Sequence, residues 1–364
     1  MKGIEKDLLE MSVNSLRKAY EEISSLRCNF AAEIVGGGKA DTYGLDAITE
    51  EVIKRGVDDY DANIVLVTEE TGKMYSGEQG LEPTQTVLIC DPTDKSIKMR
   101  EFLQSIMKRD PGFSKKYVYE AFKENLSDWE RDMGNPTISG ASGSITAIRD
   151  RRIVFNVMVN YITGEIFIAD STGTRKADNI KGYEENKIKA VGFSSESRNT
   201  QKFAAYLGKE GYSENLKKCN LGLSEEDTID PWVEGPLRIL RLSSIDEENV
   251  SFILSNGEKI CEWIGWLSWV KYARDPLQSD EHALEAYRLF FENPRTKELV
   301  SVAPGPHYSI FTMEDSETRV NLDRMFQLSD PSHYRETILV TPKHNVGPIS
   351  RVKSLGKHQL ELLL

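Results

Sequence analysis

The chain is short of the residues that build metal knuckles and disulfide frameworks. It has four cysteines and five histidines in 364 residues. Cys28, Cys90, Cys219 and Cys261 lie far apart and form no Cys-x-x-Cys pair, which argues against a structural zinc site. His282, His307, His333, His344 and His358 are scattered through the second half without metal-ligand spacing. Basic charge is also short, with 46 Lys and Arg against 58 Asp and Glu. A general nucleic-acid binder needs a basic footprint, so that class is set aside. Long apolar runs are missing too. The nearest, Ile260 to Val270, is interrupted by Glu262 and closed by Lys271, so no membrane span is expected. The start Met1-Lys2-Gly3-Ile4-Glu5-Lys6-Asp7 lacks the apolar core of a signal peptide, and a cytoplasmic location with reduced thiols is expected. There is no internal repeat. The length suits two domains or one large layered one.

Against these absences stand two acidic blocks, each at the end of an apolar run. The first is Ile64-Val65-Leu66-Val67-Thr68-Glu69-Glu70, and the second is Thr86-Val87-Leu88-Ile89-Cys90-Asp91-Pro92-Thr93-Asp94-Lys95-Ser96. Both runs are short, β-branched and free of Gly and Pro, so both read as buried strands. Carboxylates after buried strands fall at the carboxyl edge of a sheet, where α/β proteins place their sites. Glu69, Asp91 and Asp94 gathered there would repel one another. A hard divalent cation such as Mg²⁺ removes that cost and takes oxygen ligands. Either block alone also fits a solvated turn. Together they point to metal-assisted phosphoryl or hydrolytic chemistry. Ser96 is expected to cap the helical run that begins at Ile97, with its hydroxyl and the nearby amides facing an anion.

These residues resemble the inositol monophosphatase and fructose-1,6-bisphosphatase superfamily. That family carries a Glu-Glu pair after one strand and an Asp-Pro-x-Asp-Gly-Thr/Ser signature after the next. Asp46-Ala47-Ile48-Thr49-Glu50 resembles its upstream Asp-x-x-x-Glu helix. The runs 143–148, 154–159 and 164–169 resemble its long antiparallel hairpins. Order and spacing agree from the N-terminus to about Asn179, and poorly beyond.

The resemblance implies a layered α/β/α/β sandwich of the sugar-phosphatase type, with mixed sheets and flanking helices. It implies a catalytic set of Glu69, Ser96 and Asp46. Glu69 would bind a first metal and orient the attacking water, whose proton the Ser96 hydroxyl would polarise. Asp46 would support that hydroxyl. Asp91 would bridge two metals, the Thr93 carbonyl would bind the first, and Asp94 the second. Glu70 is placed at a further metal. Two or three Mg²⁺ ions are implied, with Mn²⁺ as an alternative.

Two departures stand out. Lys95 replaces the family's Gly, whose amide touches phosphate. A lysine there disfavours positive φ, and its ammonium could contact substrate phosphate, fill a metal position or reach into solvent. The family's late Trp-Asp motif, source of its third metal aspartate, is absent. Asp323 is the nearest positional analogue and Asp315 a poorer one.

A first helix is expected from Leu8 to Val35, ended by Gly36-Gly37-Gly38, and a second from Asp46 to Tyr60. An N-terminal α+β domain, 1–185, would hold metal and phosphate. A C-terminal α/β domain, 186–364, would carry substrate specificity. The segment 97–136 reads as a helical insertion in the first domain. It fits a lid, an oligomer contact that would make a homodimer, or a plain pair of packing helices. In the second half a helix is expected over Asn199 to Gly208 and a strand over Val250 to Leu254. Trp263, Trp266, Trp269 and Tyr272 fit a core stripe or a sugar-stacking platform.

The expected function is hydrolysis of a small sugar or polyol phosphate by metal-activated water, on an inositol monophosphate or fructose-1,6-bisphosphate type of substrate. The partner would be a small phosphorylated metabolite, with neither nucleic acid nor membrane. The alternatives are a non-catalytic phosphate- and metal-binding or regulatory member of the same fold, and a nucleotide 3′-phosphatase.

Overall fold

The computed structural model describes residues 3–35, 43–60, 64–68, 72–75, 86–149, 152–170, 173–184 and 187–190, then Leu237 and seven strands between 201 and 342. Helix α1 (Gly3–Ser25) buries Leu8, Val13, Leu16, Ala19 and Ile23, a stripe at helical spacing. A single turn, α2 (Cys28–Ala31), leads to α3 (Gly44–Asp58), which buries Leu45, Thr49, Ile53 and Val57 at intervals of four. α1 ends well before the expected Val35. Arg27 leaves the helix to pair with Tyr117, where its guanidinium donates to the phenol oxygen at 3.0 Å and lies 3.8 Å from the ring centroid. That long-range tie overrides local helix propensity. Gly36 to Gly38 lie outside the described residues.

Strands β1 (Ile64–Thr68), β2 (Gly72–Tyr75) and β3 (Thr86–Asp94) come next, with β1 parallel to β3 and antiparallel to β2. The chain then runs through α4 (Ser96–Arg109), a 3-10 turn (Pro111–Lys115), α5 (Val118–Met133) and the short α6 (Pro136–Ser139). An antiparallel meander follows: β4 (Ser142–Arg149), β5 (Arg152–Asn160), β6 (Ile166–Asp170) and β7 (Gly173–Ala177). After α7 (Ile180–Glu184), β8 (Lys189–Ala190) completes an eight-stranded mixed sheet of order β2-β1-β3-β4-β5-β6-β7-β8. α1 packs on β5 and β4, and α3 on β3 and β1. The core between them holds Leu66, Leu88, Ile145, Phe155, Val157 and Ile168. This is the mixed α/β class expected, with a sheet flanked by helices.

Beyond residue 200 the described strands are β9 (Gln201–Tyr206), β10 (Thr228–Ile229), β11 (Asn249–Ser255), β12 (Leu289–Glu292), β13 (Leu299–Val302), β14 (Tyr308–Met313) and β15 (Thr337–Pro342). Five form a second mixed sheet, β10-β9-β11-β15-β14, and β12 pairs with β13. β11 contains the expected strand at Val250 to Leu254. The helix expected over Asn199 to Gly208 is instead β9. Its run Gln201-Lys202-Phe203-Ala204-Ala205-Tyr206 has helix-tolerant alanines, but β9 lies between β10 and β11 with a parallel partner on each side. Ladder pairing on both edges decides such a short segment. The aromatic run 263–272 lies outside the described residues. Among those described, no helix is long and apolar enough to cross a membrane.

The segment 97–136 is part of the core. Met99, Phe102, Leu103 and Ile106 of α4 and Val118, Ala121, Phe122 and Trp129 of α5 are buried. Phe102, Phe122 and Trp129 form a closed triangle with ring centroids 5.0–5.4 Å apart. The buried Trp129 indole donates to Ser139 Oγ at 3.2 Å, so its polar edge is satisfied. α5 bends at Asn125, whose backbone leaves helical geometry while its amide donates to the Ala121 carbonyl at 2.9 Å. The plain packing pair, one of the three expectations, describes these helices. Phe102→Ala should therefore cost about 3–5 kcal/mol, read from the urea midpoint at constant slope. A helix that served only as a lid would lose less than about 1 kcal/mol.

Candidate metal and phosphate site at the end of β3

β3 lies between β1 and β4, and its last residues break the regular ladder. Asp91 pairs with Ser144 and Asp94 with Ser142, so Pro92 and Thr93 together oppose Gly143. This is a bulge, the device that re-aims side chains at a strand end. Pro92 favours it because it has no N–H to give the ladder. The Asp91 carboxylate accepts the Thr93 N–H at 3.1 Å, closing a local turn.

The bulge is fixed from below by Tyr161, just past the end of β5. Its phenol donates to the Pro92 carbonyl at 2.8 Å. That contact needs a glycine opposite. A Cβ on Gly143 would stand 2.0 Å from the Tyr161 oxygen and 2.8 Å from the Pro92 oxygen. Glycine inside a strand often marks such a close approach.

From above, the bulge is held by α3. Thr49 and Thr93 share a hydroxyl hydrogen bond at 2.7 Å. One residue on, Glu50 accepts from the hydroxyl of Thr68, the last residue of β1, and Lys54 lies 3.4 Å from its other oxygen. Thr68 is in register with Cys90. Positions 46, 49 and 50 share one face of α3, so the helix lies across the carboxyl ends of both strands. Asp46 sits in the first turn and accepts the Tyr43 N–H at 3.4 Å, capping its own helix.

Asp91 is 1 % exposed, Asp94 3 %, Asp46 4 % and Glu50 4 %, so four carboxylates are buried in this quarter of the fold. Burying a charge is costly unless it is compensated, and carboxylates so placed favour a cation. Every donor that the bulge offers is oxygen: two carboxylates and the carbonyl of Thr93. Such a set suits a hard ion of the Mg²⁺ kind and not a thiophilic one. The described cysteines add no ligand. Cys28 is buried in the core, and burial pushes its thiol up to about 11.

Lys95 turns the chain from the bulge into α4. Its φ of 65° and ψ of 23° are left-handed, and it is the only non-glycine with positive φ among the described residues. It is also the residue that precedes the helix. Ser96, expected to cap α4, is its first helical residue instead. The carbonyl of Lys95 accepts the Met99 N–H at 3.1 Å, which starts the helix one residue early. The hydroxyl of Ser96 thus belongs to the first turn, beside amides that have no intrahelical partner.

The chain therefore brings Asp91, Thr93, Asp94, Lys95 and Ser96 together on one strand-to-helix turn, and sets α3, which carries Asp46, against it. Glu69, Glu70 and Asp323, the other expected metal ligands, lie outside the described residues, as does Asp315. Among the described residues no group of three Asp, Glu, His or Cys side chains is placed to hold a metal. Sequence reasoning gave no role to Tyr161, Thr68, Thr49 or Glu50. Gly143, a glycine within a strand pattern, was the one available signal of a close approach.

Tyr161→Phe should cost about 1–3 kcal/mol, because it leaves the buried Pro92 carbonyl without its donor. Gly143→Ala should cost at least as much, since it drives the phenol out altogether. Lys95→Gly should leave stability unchanged or raise it by up to about 1 kcal/mol. Relief of a left-handed strain of about 1–2 kcal/mol outweighs the added freedom of the unfolded glycine, about 0.4–1 kcal/mol. Lys95→Val should destabilise. Denaturant melts of the variants check all of these.

No protein-family model matches this chain, and no curated protein does. Solved structures do resemble it. An IMPase from Thermotoga maritima is 11 % identical, with 98 % of this chain and 100 % of that one covered at a TM-score of 0.49. The extragenic suppressor protein suhB from Bartonella henselae is 14 % identical, with 96 % of each chain covered at a TM-score of 0.47. A hypothetical protein from Pyrococcus horikoshii with similarities for inositol-1 monophosphatase is 11 % identical, covering 98 % of this chain and 100 % of its own at a TM-score of 0.46. Likenesses this distant leave the activity to be argued from the residues at the end of β3.

Proposed function

We propose that this protein is a metal-dependent phosphatase that hydrolyses a small phosphate monoester of the sugar or polyol phosphate class. The observation that carries the proposal is the turn from β3 into α4. It offers buried oxygen donors on one side and the N-terminal turn of a 14-residue helix on the other, one residue apart.

Asp91, Asp94 and the Thr93 carbonyl would hold Mg²⁺, with Glu69, Glu70 and Asp323 as the further ligands suggested by the sequence. Bound there, the ion supplies positive charge at the transferring phosphoryl group and lowers the pKa of water. The remaining work falls to the chain. The first amides of α4 and the helix dipole hold the phosphate oxygens. The Ser96 hydroxyl sits in the same turn, where it orients the attacking water. Asp46 supports Ser96 from the first turn of α3. The bulge sets the positions of Asp91 and Asp94 through backbone pairing with Ser144 and Ser142, which favours prearranged charge at the moment of reaction. A cytoplasmic location and a phosphorylated metabolite as substrate complete the proposal.

Lys95 favours a second reading, a phosphate- and metal-binding protein without turnover. A lysine in a strained left-handed turn is retained at a cost, and its charge next to Asp94 would compete with a cation.

A phosphate-release screen over inositol, fructose and nucleotide phosphates, with and without Mg²⁺, tests the proposal. Mg²⁺-dependent release is expected from at least one ester. Asp91→Asn should keep the fold and lose at least about 100-fold in rate. Full activity in that variant, or release indifferent to Mg²⁺, would remove the phosphatase reading. Lys95→Gly separates the two readings. If the ammonium contacts substrate phosphate, the variant binds substrate more weakly. If it competes with the metal, the variant binds Mg²⁺ more tightly and works faster.

A further inference from the structure

One contact joins the residue that precedes α3 to the second turn of α4, the two helices that meet at the site. Arg100 of α4 donates from Nη1 to the phenol oxygen of Tyr43 at 3.0 Å, and its guanidinium carbon lies 4.7 Å from the Tyr43 ring centroid. Tyr43 immediately precedes α3, and its ring is buried at 8 % exposure. Its N–H is held by the carboxylate of Asp46. Arg100 stands one turn after Ser96 on the same face of α4, about 6 Å along the axis. The chain of contacts thus runs from Asp46 through Tyr43 and Arg100 to the turn that bears Ser96.

We propose that Arg100 and Tyr43 are a positioning pair that fixes the first turn of α3 against the first turn of α4, and with it the spacing of Asp46 and Ser96. The proposal rests on the reading of Ser96 and Asp46 as part of a phosphatase site.

α3 packs on α1, β3, β1 and α2, and α4 on the 3-10 turn, α2 and α5, so α2 packs against both helices. Arg100 on Tyr43 adds a directional side-chain contact between the two helices themselves. A planar guanidinium stacked on a ring while donating to its hydroxyl has one favourable placement, which a lysine does not reproduce. Gly44, next to Tyr43, sets the height of α3. A Cβ there would stand 2.3 Å from the Phe30 carbonyl oxygen, so α3 begins hard against α2.

The test combines kinetics with hydrogen exchange on the full chain. The variants are Arg100→Met, Arg100→Lys, Tyr43→Phe and the double variant Tyr43→Phe with Arg100→Met. In Arg100→Met, kcat should fall by about 10- to 100-fold, the scale of a small misplacement of reacting groups. KM should stay within about twofold. Arg100→Lys should recover only part of the loss, and the double variant should be no worse than Arg100→Met alone. The Ala47 amide, bonded to the Tyr43 carbonyl at 3.0 Å, should exchange at least about tenfold faster in Arg100→Met. A purely structural role would lower the melting temperature while leaving kcat alone, and that result overturns the proposal. Full rescue by lysine or unchanged Ala47 exchange overturns it as well. If the wild type releases no phosphate from any ester, the phosphatase reading fails first. The exchange arm then still decides whether the pair fixes the two helix ends.

Discussion

The site depends on the bulge at the end of β3. A regular strand would send Asp91 and Asp94 into the ladder at positions set by the pleat alone. Two residues opposite one interrupt that pattern and leave Pro92 and Thr93 with carbonyls the sheet does not use. Tyr161 of the meander donates to the Pro92 carbonyl, and the Thr49 hydroxyl of α3 holds the Thr93 side chain. Such irregularity inside a buried sheet edge persists only where its surroundings specify it, and Gly143 is the residue that makes room for the specification.

The rest of the first half can be understood as support for that point. The β4–β7 meander brings Tyr161 to the bulge, and α1 packs on β5 and β4 over the same core. The aromatic triangle of α4 and α5 anchors α4, whose first turn follows the bulge after the single residue Lys95. The left-handed backbone of Lys95 is the cost of turning so sharply from strand to helix. Stiffness at both ends of this turn suits chemistry that relies on prearranged charge.

Much of this was legible in the sequence. The runs before Glu69 and Asp91 are strands because they are apolar, short and β-branched, and the resemblance of 143–169 to the family's antiparallel hairpins matches the meander. Lysine disfavours positive φ, yet Lys95 adopts it at the position where the resembled family keeps glycine. What the sequence did not reveal were contacts between residues far apart in the chain, such as Tyr161 with Pro92 or Thr49 with Thr93. No local pattern encodes them. The same cause explains the errors. α1 stops where Arg27 finds Tyr117, and the run 201–206 becomes a strand because two neighbours pair with it. The start of α4 moved by one residue because Lys95, and not Ser96, supplies the first helical carbonyl acceptor.

The central claim is that the bulge and the start of α4 form one joint site for a cation and a phosphate. Calorimetric titration of Mg²⁺ in the presence and absence of inorganic phosphate tests it most directly, on the wild type and on Asp94→Asn. Binding at a shared site is reciprocal, so phosphate should raise Mg²⁺ affinity and Mg²⁺ should raise phosphate affinity by the same factor. The account predicts this coupling in the wild type and its loss in Asp94→Asn. Mg²⁺ affinity that is indifferent to phosphate, or coupling that survives in the variant, would contradict it.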